Sequence, residues 1–206
     1  MTIPVHHMSG AGNLFVMLDG RGSNGNDRHG ADVNADTIQS LIPSLCDRSA
    51  LKMNNAEGVI VLNDCGPGSA TSTFYNPDGS TGAMCGNGGR CLVRFALDNG
   101  TTIDTQQQVV FSMAGTVFNA TVSENGIICV DFPPPIEERV FLADELPELP
   151  MGGTYVNVGS DHVVIDARRL PDNTIDLSDL ALVDIALPAR KAGVKEDKQV
   201  IDLEVL

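Results

Sequence analysis

The sequence has 206 residues, of which 42% are apolar and 19% charged, and its formal net charge is −14 at pH 7. The composition indicates a globular protein, and the length suits one large domain or two small ones with a real core. The negative charge is spread along the chain and disfavours nucleic acid as a partner, while no apolar run approaches the roughly 18 residues of a membrane span. The first residues lack a basic and then apolar signal segment, so we expect a soluble, cytoplasmic protein.

The first elements predicted along the chain are two strands and a helix. A strand begins near Pro4, a Gly-rich turn covers Ser9 to Asn13, and a second strand runs through "FVML". Helical spacing of apolar residues behind Asp36 predicts a helix that Pro43 would bend or shorten.

The next segments predict more strands and a second helix. "GVIVLND" is typical of a buried strand, and "TSTFYNPDGS" of a strand that ends in a turn at Asn76 to Gly79. "GNGGRCLVRFALDNG" predicts a helix that buries Cys91 and Leu92 and stops at Asn99-Gly100. The antiparallel strands "QVVFSMAG", "TVFNATVS" and "GIICVDF" follow, with Asn125-Gly126 as a two-residue hairpin turn.

The prolines at 133–135 and the acidic segment after them are the best candidate boundary, since they interrupt both periodicities. We therefore expect a first domain over 1–135, a linker over 136–150 and a second domain over 151–206. In the last part, "TYVNVGSDHVVID" predicts a strand with a polar turn, "DLSDLALVDIALP" a helix and "QVIDLEVL" a strand. A core-like strand at the end of a chain leaves an open edge, so we expect that more protein follows it.

Cys85, in the stretch "AMCGNGGRC", is the residue with the clearest chemical potential. It precedes the first turn of the predicted helix, where unpaired N–H groups and the positive end of the helix dipole favour a thiolate and lower a thiol pKa. Gly86, Gly88 and Gly89 would let a carboxylate approach the main-chain N–H groups.

Other roles for this stretch are less well supported by the residues. Zinc needs about four ligands, and no second Cys/His pair accompanies Cys85 and Cys91; a phosphate loop needs Lys and Ser/Thr where Arg90-Cys91 stand. The five cysteines are an odd number without paired short spacings, which suits reduced thiols better than a disulfide framework. From spacing alone, Cys85 is either an unreactive buried cysteine or a base or nucleophile, and Cys91 is a packing residue.

Three motifs in order, "GAGNLF", "YNPDGS" and "MCGNGGRC", resemble those of the diaminopimelate epimerase family, and the similarity continues through "LCDR", "GVIVLND" and "NVGSDHVVID". The resemblance implies an α/β (α+β) fold in which strands wrap around a central helix in each of two pseudo-symmetric domains. The second domain would be incomplete here.

The resemblance also implies a reaction that needs no cofactor or metal: one cysteine removes the Cα proton of an amino acid, and a second delivers a proton to the other face. Cys85 matches the first cysteine, and His162 a histidine beside the second. The positions that match substrate-binding residues are Asn13, Asn76, Gly86, Asn87 and Ser160. The expected ligand is diaminopimelate, and a homodimer is one expected assembly.

The sequence departs from the family pattern at several points. Leu14 and Asp161 replace an Asp and a Pro, and "ALKMNNAEG" at 50–58 replaces a segment that lines the substrate cleft in relatives. The Glu-Arg pair and the second cysteine of relatives, in a C-G-[ST]-G motif, are missing, and Cys129 is no substitute. We expect the chain alone to be inactive and part of a longer epimerase; alternatives are a racemase of another amino acid and a relative that only binds.

Overall fold

The computed structural model describes residues 4–21, 35–47, 49, 55–82, 84–142, 152–158, 161–165 and 202–205. The chain divides into two compact units, Met1–Phe132 and Pro133–Leu206.

The described residues of the first unit form one seven-stranded sheet and two α-helices. The sheet has the order β1-β2-β3-β4-β5-β6-β7, with β2/β3 and β4/β5 parallel and the other neighbours antiparallel. In chain order the elements are β1 (His6–Gly10), β2 (Asn13–Asp19), α1 (Ala35–Cys46), β3 (Gly58–Gly66), β4 (Ser69–Tyr75), α2 (Gly86–Asp98), β5 (Gln108–Met113), β6 (Thr116–Val122) and β7 (Ile128–Asp131).

Helix α2 lies at the centre of this unit. It contacts β1 and β7, the two outer strands, as well as strands between them, so the sheet curls around the helix. The predicted apolar face of α2 is buried, with Leu92 and Ala96 at 0% exposure, against sheet residues such as Phe15, Ile60 and Phe111. The predicted wrapping of strands around a central helix is confirmed for the first unit.

Helix α1 covers the other face of the sheet. Ile38 and Ile42 pack with Val16 and Val59 in a second apolar cluster, because successive residues of β2 and β3 point to opposite faces and both faces are covered. Pro43 does not end the helix, which continues to Cys46. The carbonyl of Pro43 accepts a hydrogen bond from the Asp47 N–H (3.0 Å).

The turn between β6 and β7 differs from the prediction. The Ser123 N–H donates to the Ile127 carbonyl (2.9 Å), and the Gly126 N–H donates to the Ser123 carbonyl (2.8 Å). The loop therefore has three residues, 124–126, with Gly126 at a φ of 81° in the left-handed position that such loops require. The two-residue turn predicted from Asn125-Gly126 is wrong by one residue.

The described residues of the second unit form a four-stranded sheet of order β11-β10-β9-β8, with β10/β11 parallel and the other pairs antiparallel. Its strands are β8 (Glu137–Phe141), β9 (Gly153–Asn157), β10 (Asp161–Ile165) and β11 (Asp202–Val205). Strand β8 lies inside the predicted linker 136–150, so residues 137–141 are part of this sheet instead. The predicted helix over 176–188 lies outside the described residues.

The helices in the described part of the chain are all too short or too polar to cross a membrane.

Arg21 connects the far ends of three elements of the first unit. Its guanidinium binds both carboxylate oxygens of Asp19 (2.7 and 2.6 Å) and also donates to the Cys65 sulfur and to the Asn99 carbonyl (3.1 Å). Asn99 is the C-cap of α2, so this contact fixes the end of the helix to the ends of β2 and β3. The side chains of Arg21 and Asp19 are only 20% and 18% exposed, and the bonds to Asp19 raise the pKa of the guanidinium.

We predict that Arg21→Met lowers the free energy of unfolding by about 1–3 kcal/mol, because it removes several hydrogen bonds of a partly buried charge. The control is Arg94→Met. Arg94 pairs with Asp98 on the exposed surface of α2, and its loss should cost about 0.5 kcal/mol or less. Urea unfolding of both variants measures the difference; equal effects would contradict the role given to Arg21.

Candidate active site

Cys85 is the N-cap residue of α2, with an extended backbone (φ −124°, ψ 117°), and its side chain makes no capping hydrogen bond. Its carbonyl accepts the first helical bond, from the Gly89 N–H (2.7 Å). The thiol is half-buried and is not in a disulfide. The first turn of α2 contains no acidic side chain, so the N–H groups of 86–88 and the helix dipole face the thiol without a competing carboxylate.

A chain of polar side chains connects the first turn of α2 to the start of β2. Arg90 donates a hydrogen bond to Oδ1 of Asn87, and Nδ2 of Asn87 donates to Oδ1 of Asn13 (2.9 Å). All three side chains are partly buried. The structure therefore brings together two of the predicted substrate-binding residues, Asn13 and Asn87, next to Cys85.

The end of β1 presses directly on this turn of the helix. A Cβ atom at Gly10 would lie 2.5 Å from the main-chain oxygen of Asn87 and 3.2 Å from the sulfur of Cys91. Only glycine allows this approach, so Gly10 sets how closely the β1–β2 hairpin, and with it Asn13, can come to α2.

Asn76 lies in the turn that follows β4. Its N–H donates to the Ser80 carbonyl (2.8 Å) and its Nδ2 to the Ser80 hydroxyl (3.0 Å), which itself donates to Asp78 (2.6 Å). Hydrogen bonds from the hydroxyl and then the N–H of Ser80 lower the pKa of the Asp78 carboxyl group. The orientation of the Asn76 amide is thus fixed by an ionised carboxylate through Ser80.

The topology of the sheet places Asn13 and Asn76 at the same edge of the sheet, the one where β2 and β3 begin and β4 ends. Strand β2 starts at Asn13, its parallel neighbour β3 starts at Gly58, and β4, antiparallel to β3, ends beside the start of β3 with Val59 opposite Tyr75. Asn13 and Asn76 are therefore two strands apart at the same edge, roughly 10 Å by the usual strand spacing. The loop after β4 returns to this edge, where the Gly82 N–H donates to the Phe74 carbonyl (2.8 Å), and leads to Cys85.

Cys91 differs from Cys85 in burial and in protonation. It is 3% exposed within the core around α2, and burial raises the pKa of its thiol to about 11; the Arg90 charge lowers it and Cys85 raises it by smaller amounts. Cys91 is therefore a neutral thiol at pH 7 and a packing residue, as predicted. Burial likewise raises the pKa of Cys46, under α1, to about 11.

The remaining predicted site residues belong to the second unit. His162 lies in β10, half-buried, between Asp161 and the buried Val163. Neighbouring strand residues point to opposite faces, so His162 and Val163, which pairs with Tyr155, are on opposite faces of this sheet. Ser160 lies outside the residues that the structure describes.

Sequence reasoning missed three residues that hold the site asparagines in place: Arg90, Ser80 and Asp78. The i, i+3 spacing of Asn87 and Arg90 on a predicted helix was the available indication for the first contact. Among the described residues, no three His, Cys, Asp or Glu side chains come together in a way that could hold a metal ion.

Comparison with known proteins gives the same family from two directions. A family model described as diaminopimelate epimerase matches residues 5–133. A diaminopimelate epimerase of Desulforapulum autotrophicum is 34% identical over 135 residues, which are 64% of this chain and 44% of that protein. Another, of Flavobacterium psychrophilum, is 31% identical over 171 residues, 81% of this chain and 56% of that protein. The chain spans about half the length of the curated relatives it matches.

Solved structures support the fold. A hydroxyproline epimerase of Agrobacterium vitis, crystallised with trans-4-OH-L-proline, matches with a TM-score of 0.56 at 14% identity, over 94% of this chain and 60% of that one. A probable proline racemase of Agrobacterium radiobacter K84 matches equally well, at 13% identity over the same shares of the two chains. Such low identities establish a shared fold and say nothing of the substrate.

We predict that iodoacetamide at pH 8 modifies Cys129 in the folded protein and leaves Cys46 and Cys91 unmodified. Cys129 is exposed, whereas the other two thiols are buried and, with pKa values of about 11, contain about 0.1% thiolate at this pH. Mass spectrometry of the peptides measures the modification, and unfolded protein, in which all five should react, is the control. Modification of Cys91 as fast as Cys129 would contradict its burial.

We predict that Gly10→Ala destabilises the protein by about 1–3 kcal/mol, because the new methyl group forces β1 away from the first turn of α2. Gly66→Ala on β3 is the matched control, since its Cβ would meet nothing nearer than the Ser69 hydroxyl at 3.8 Å. Urea unfolding compares the two. If both variants are as stable as the wild type, β1 does not constrain the helix start.

Proposed function

The chain belongs to the diaminopimelate epimerase family, and from this membership we propose that it supplies one half of the active site of an amino-acid epimerase. The reaction proposed is the interconversion of LL- and meso-2,6-diaminopimelate, which serves lysine and peptidoglycan precursor synthesis. The observation that carries the proposal is Cys85 at the start of a buried helix, with Asn13 and Asn87 hydrogen-bonded beside it.

The chemistry requires a base on one face of Cα and an acid on the other. The Cα proton of an amino acid is very weakly acidic, so hydrogen bonds already in place must stabilise the charge that develops when it leaves. We propose that Cys85, as a thiolate favoured by the helix start, removes this proton. The N–H groups of Gly86 and Asn87 would bind the carboxylate on which the charge develops.

Amide and hydroxyl groups would hold the rest of the zwitterion. We propose this role for the side chains of Asn13 and Asn76, which the fold brings to one edge of the sheet, and for Ser160 of the second unit. His162 would assist the protonation changes of the second thiol. Excluding water around the substrate would strengthen these bonds and preserve the thiolate–thiol pair.

The second thiol is the part of this mechanism that the 206 residues lack. Cys46 and Cys91 are buried, neutral thiols of the first unit. Cys65 accepts a hydrogen bond from Arg21 at the far end of β3, and Cys129 lies on β7 rather than at a helix start. We therefore expect the 206 residues alone to turn over no diaminopimelate. A protein in which they are joined to a segment with the second cysteine, called the full-length protein below, is expected to be active, without cofactor, in the cytoplasm. A homodimer is the proposed assembly.

Deuterium incorporation at Cα tests the substrate directly. The full-length protein is incubated under reducing conditions in heavy water with LL-diaminopimelate, meso-diaminopimelate, proline or other amino acids, and exchange is followed by proton NMR. Exchange with diaminopimelate is expected. Exchange only with another amino acid would contradict diaminopimelate as the substrate, and exchange with none would contradict the proposed epimerase activity.

We predict that Cys85→Ala lowers the exchange rate with diaminopimelate by at least about a hundredfold, the usual contribution of a general base. Cys129→Ser, a change on an exposed strand outside the proposed site, should leave the rate unchanged. A Cys85→Ala protein that keeps most of the wild-type rate would eliminate Cys85 as the base.

A further inference from the structure

Arg90 occupies a position that the proposed chemistry does not use. It lies one turn into α2, after the Gly-rich start, and its guanidinium donates to Oδ1 of Asn87. Asn87 in turn donates through Nδ2 to Oδ1 of Asn13. The three residues form a chain that begins with a fixed charge and ends at a proposed substrate-binding residue.

Arg90 determines the direction of the hydrogen bonds that connect it to Asn87 and Asn13. An arginine side chain has five N–H donors and no acceptor, whereas an asparagine amide can offer either its oxygen or its NH₂ group after a half-turn. Two asparagines alone could pair in either sense. With Arg90 present, Asn87 must turn its oxygen to the guanidinium and its NH₂ group to Asn13, which then accepts through Oδ1.

The direction of these hydrogen bonds determines which part of the Asn13 amide can contact a ligand. Its oxygen already accepts one hydrogen bond from Asn87, whereas this bond engages neither N–H of its NH₂ group, which can therefore donate to a ligand. A hydrogen-bond donor suits a carboxylate, and a carboxylate is also what the N–H groups at the adjacent helix start favour.

We propose that Arg90 is a positioning residue: through Asn87 it fixes Asn13 as a hydrogen-bond donor to the carboxylate of an amino-acid substrate. This inference rests on the proposed function, since it takes the site at the α2 start to be the substrate site. It adds a residue that touches no substrate but determines what chemical group the site presents.

The hydrogen bond from Arg90 to Asn87 is the contact through which Arg90 is proposed to act on the site. Arg90 and Cys91 line a cavity of about 250 Å³ between α2 and strands β1 and β7, together with Met8, Arg94 and Ile128. Neither Cys85 nor Asn13 nor Asn76 lines this cavity. Arg90 therefore borders this cavity and also the start of α2, where one guanidinium nitrogen lies 4.0 Å from the place that a Cβ of Gly86 would take; Asn87 is its hydrogen-bond connection to the site.

Steady-state kinetics of the full-length protein with meso-diaminopimelate tests the role. Arg90→Met should raise KM about tenfold to a hundredfold and change kcat much less, because a donor to the carboxylate is lost from substrate and transition state alike. Arg90→Lys keeps a donor and should recover part of the loss. Arg94→Met, one turn further on an exposed ion pair, is the matched control and should have the wild-type KM.

A double-mutant cycle separates positioning from charge. If Arg90 acts through Asn87, Arg90→Met should add little to the effect of Asn87→Ala; if it acts by its charge on the carboxylate, it should raise KM by the same factor in both backgrounds. Equal factors would overturn the proposal, as would a wild-type KM for Arg90→Met.

A second measurement needs no activity, so that failure of the substrate assignment is distinguishable. Proton–nitrogen NMR of the 206-residue protein reports solvent exchange of the side-chain NH₂ groups of Asn13 and Asn87. Arg90→Met should speed exchange at Asn87 about tenfold or more, since its amide loses its fixed orientation, and Arg94→Met should not.

The two measurements together decide between the hypotheses. Suppose that solvent exchange of the Asn87 NH₂ group is faster in Arg90→Met, but the wild-type protein itself does not act on diaminopimelate. This result would support the positioning role and reject diaminopimelate as the substrate. Equal exchange in wild type, Arg90→Met and Arg94→Met would overturn the positioning role whatever the activity.

Discussion

The burial of α2 inside the curled sheet is the constraint on which the rest of the first unit depends. Two glycines of its first turn allow the helix to lie close to the sheet: Cβ atoms at Gly88 and Gly89 would each lie 3.1 Å from a side chain, of Ile60 and Phe111 respectively, and would force these to shift. Close packing at the start of the helix fixes the position of Cys85 to within the tolerance of a packed core. A general base needs such precision, since small displacements of a reacting group cost large factors in rate.

The same packing explains why two neighbouring cysteines of one helix differ chemically. Cys91, on the buried face, loses its hydration, and the cost of charging it in an apolar surrounding keeps it neutral. Cys85 precedes the helix, half-buried, where N–H groups without helical partners replace part of the lost hydration. Six residues along the chain thus separate a thiol that serves as packing from one that is suited to proton transfer.

Periodicity and turn residues predicted most of the fold, because they reflect local physics. The strands and helices of the first unit lie where alternation or helical spacing indicated. The loop at 124–126 was misjudged because Asn-Gly occurs in both two- and three-residue hairpins, and cross-strand pairing decides between them. Strand β8 was missed because its charged residues between proline-rich and acidic segments resemble a linker; its pairing with β9 is a tertiary contact without a local pattern.

The candidate site divides in the same way. Cys85, Gly86 and Asn87 belong to one motif at a helix start, so their proximity could be predicted from the sequence. The contact of Asn87 with Asn13 could not, because it joins residues 74 positions apart and depends on the approach of Gly10 to the helix. The roles of Arg90 and Asp78 were also hidden, because each acts on an asparagine whose amide has no preferred direction in the sequence.

The helix dipole of α2 and the carboxylate of Asp78 give the candidate site a polarity that the overall composition does not suggest. The protein has a net charge of −14 and would on average repel an anionic substrate. At the start of α2, however, the positive end of the helix dipole lies at a first turn without acidic residues, whereas the carboxylate of Asp78 lies in the turn after β4. Within about a Debye length the local charges outweigh the distant ones. A zwitterion, with a carboxylate and an ammonium group but little net charge, is the class of ligand that gains from such a divided site and loses least to the acidic surface around it.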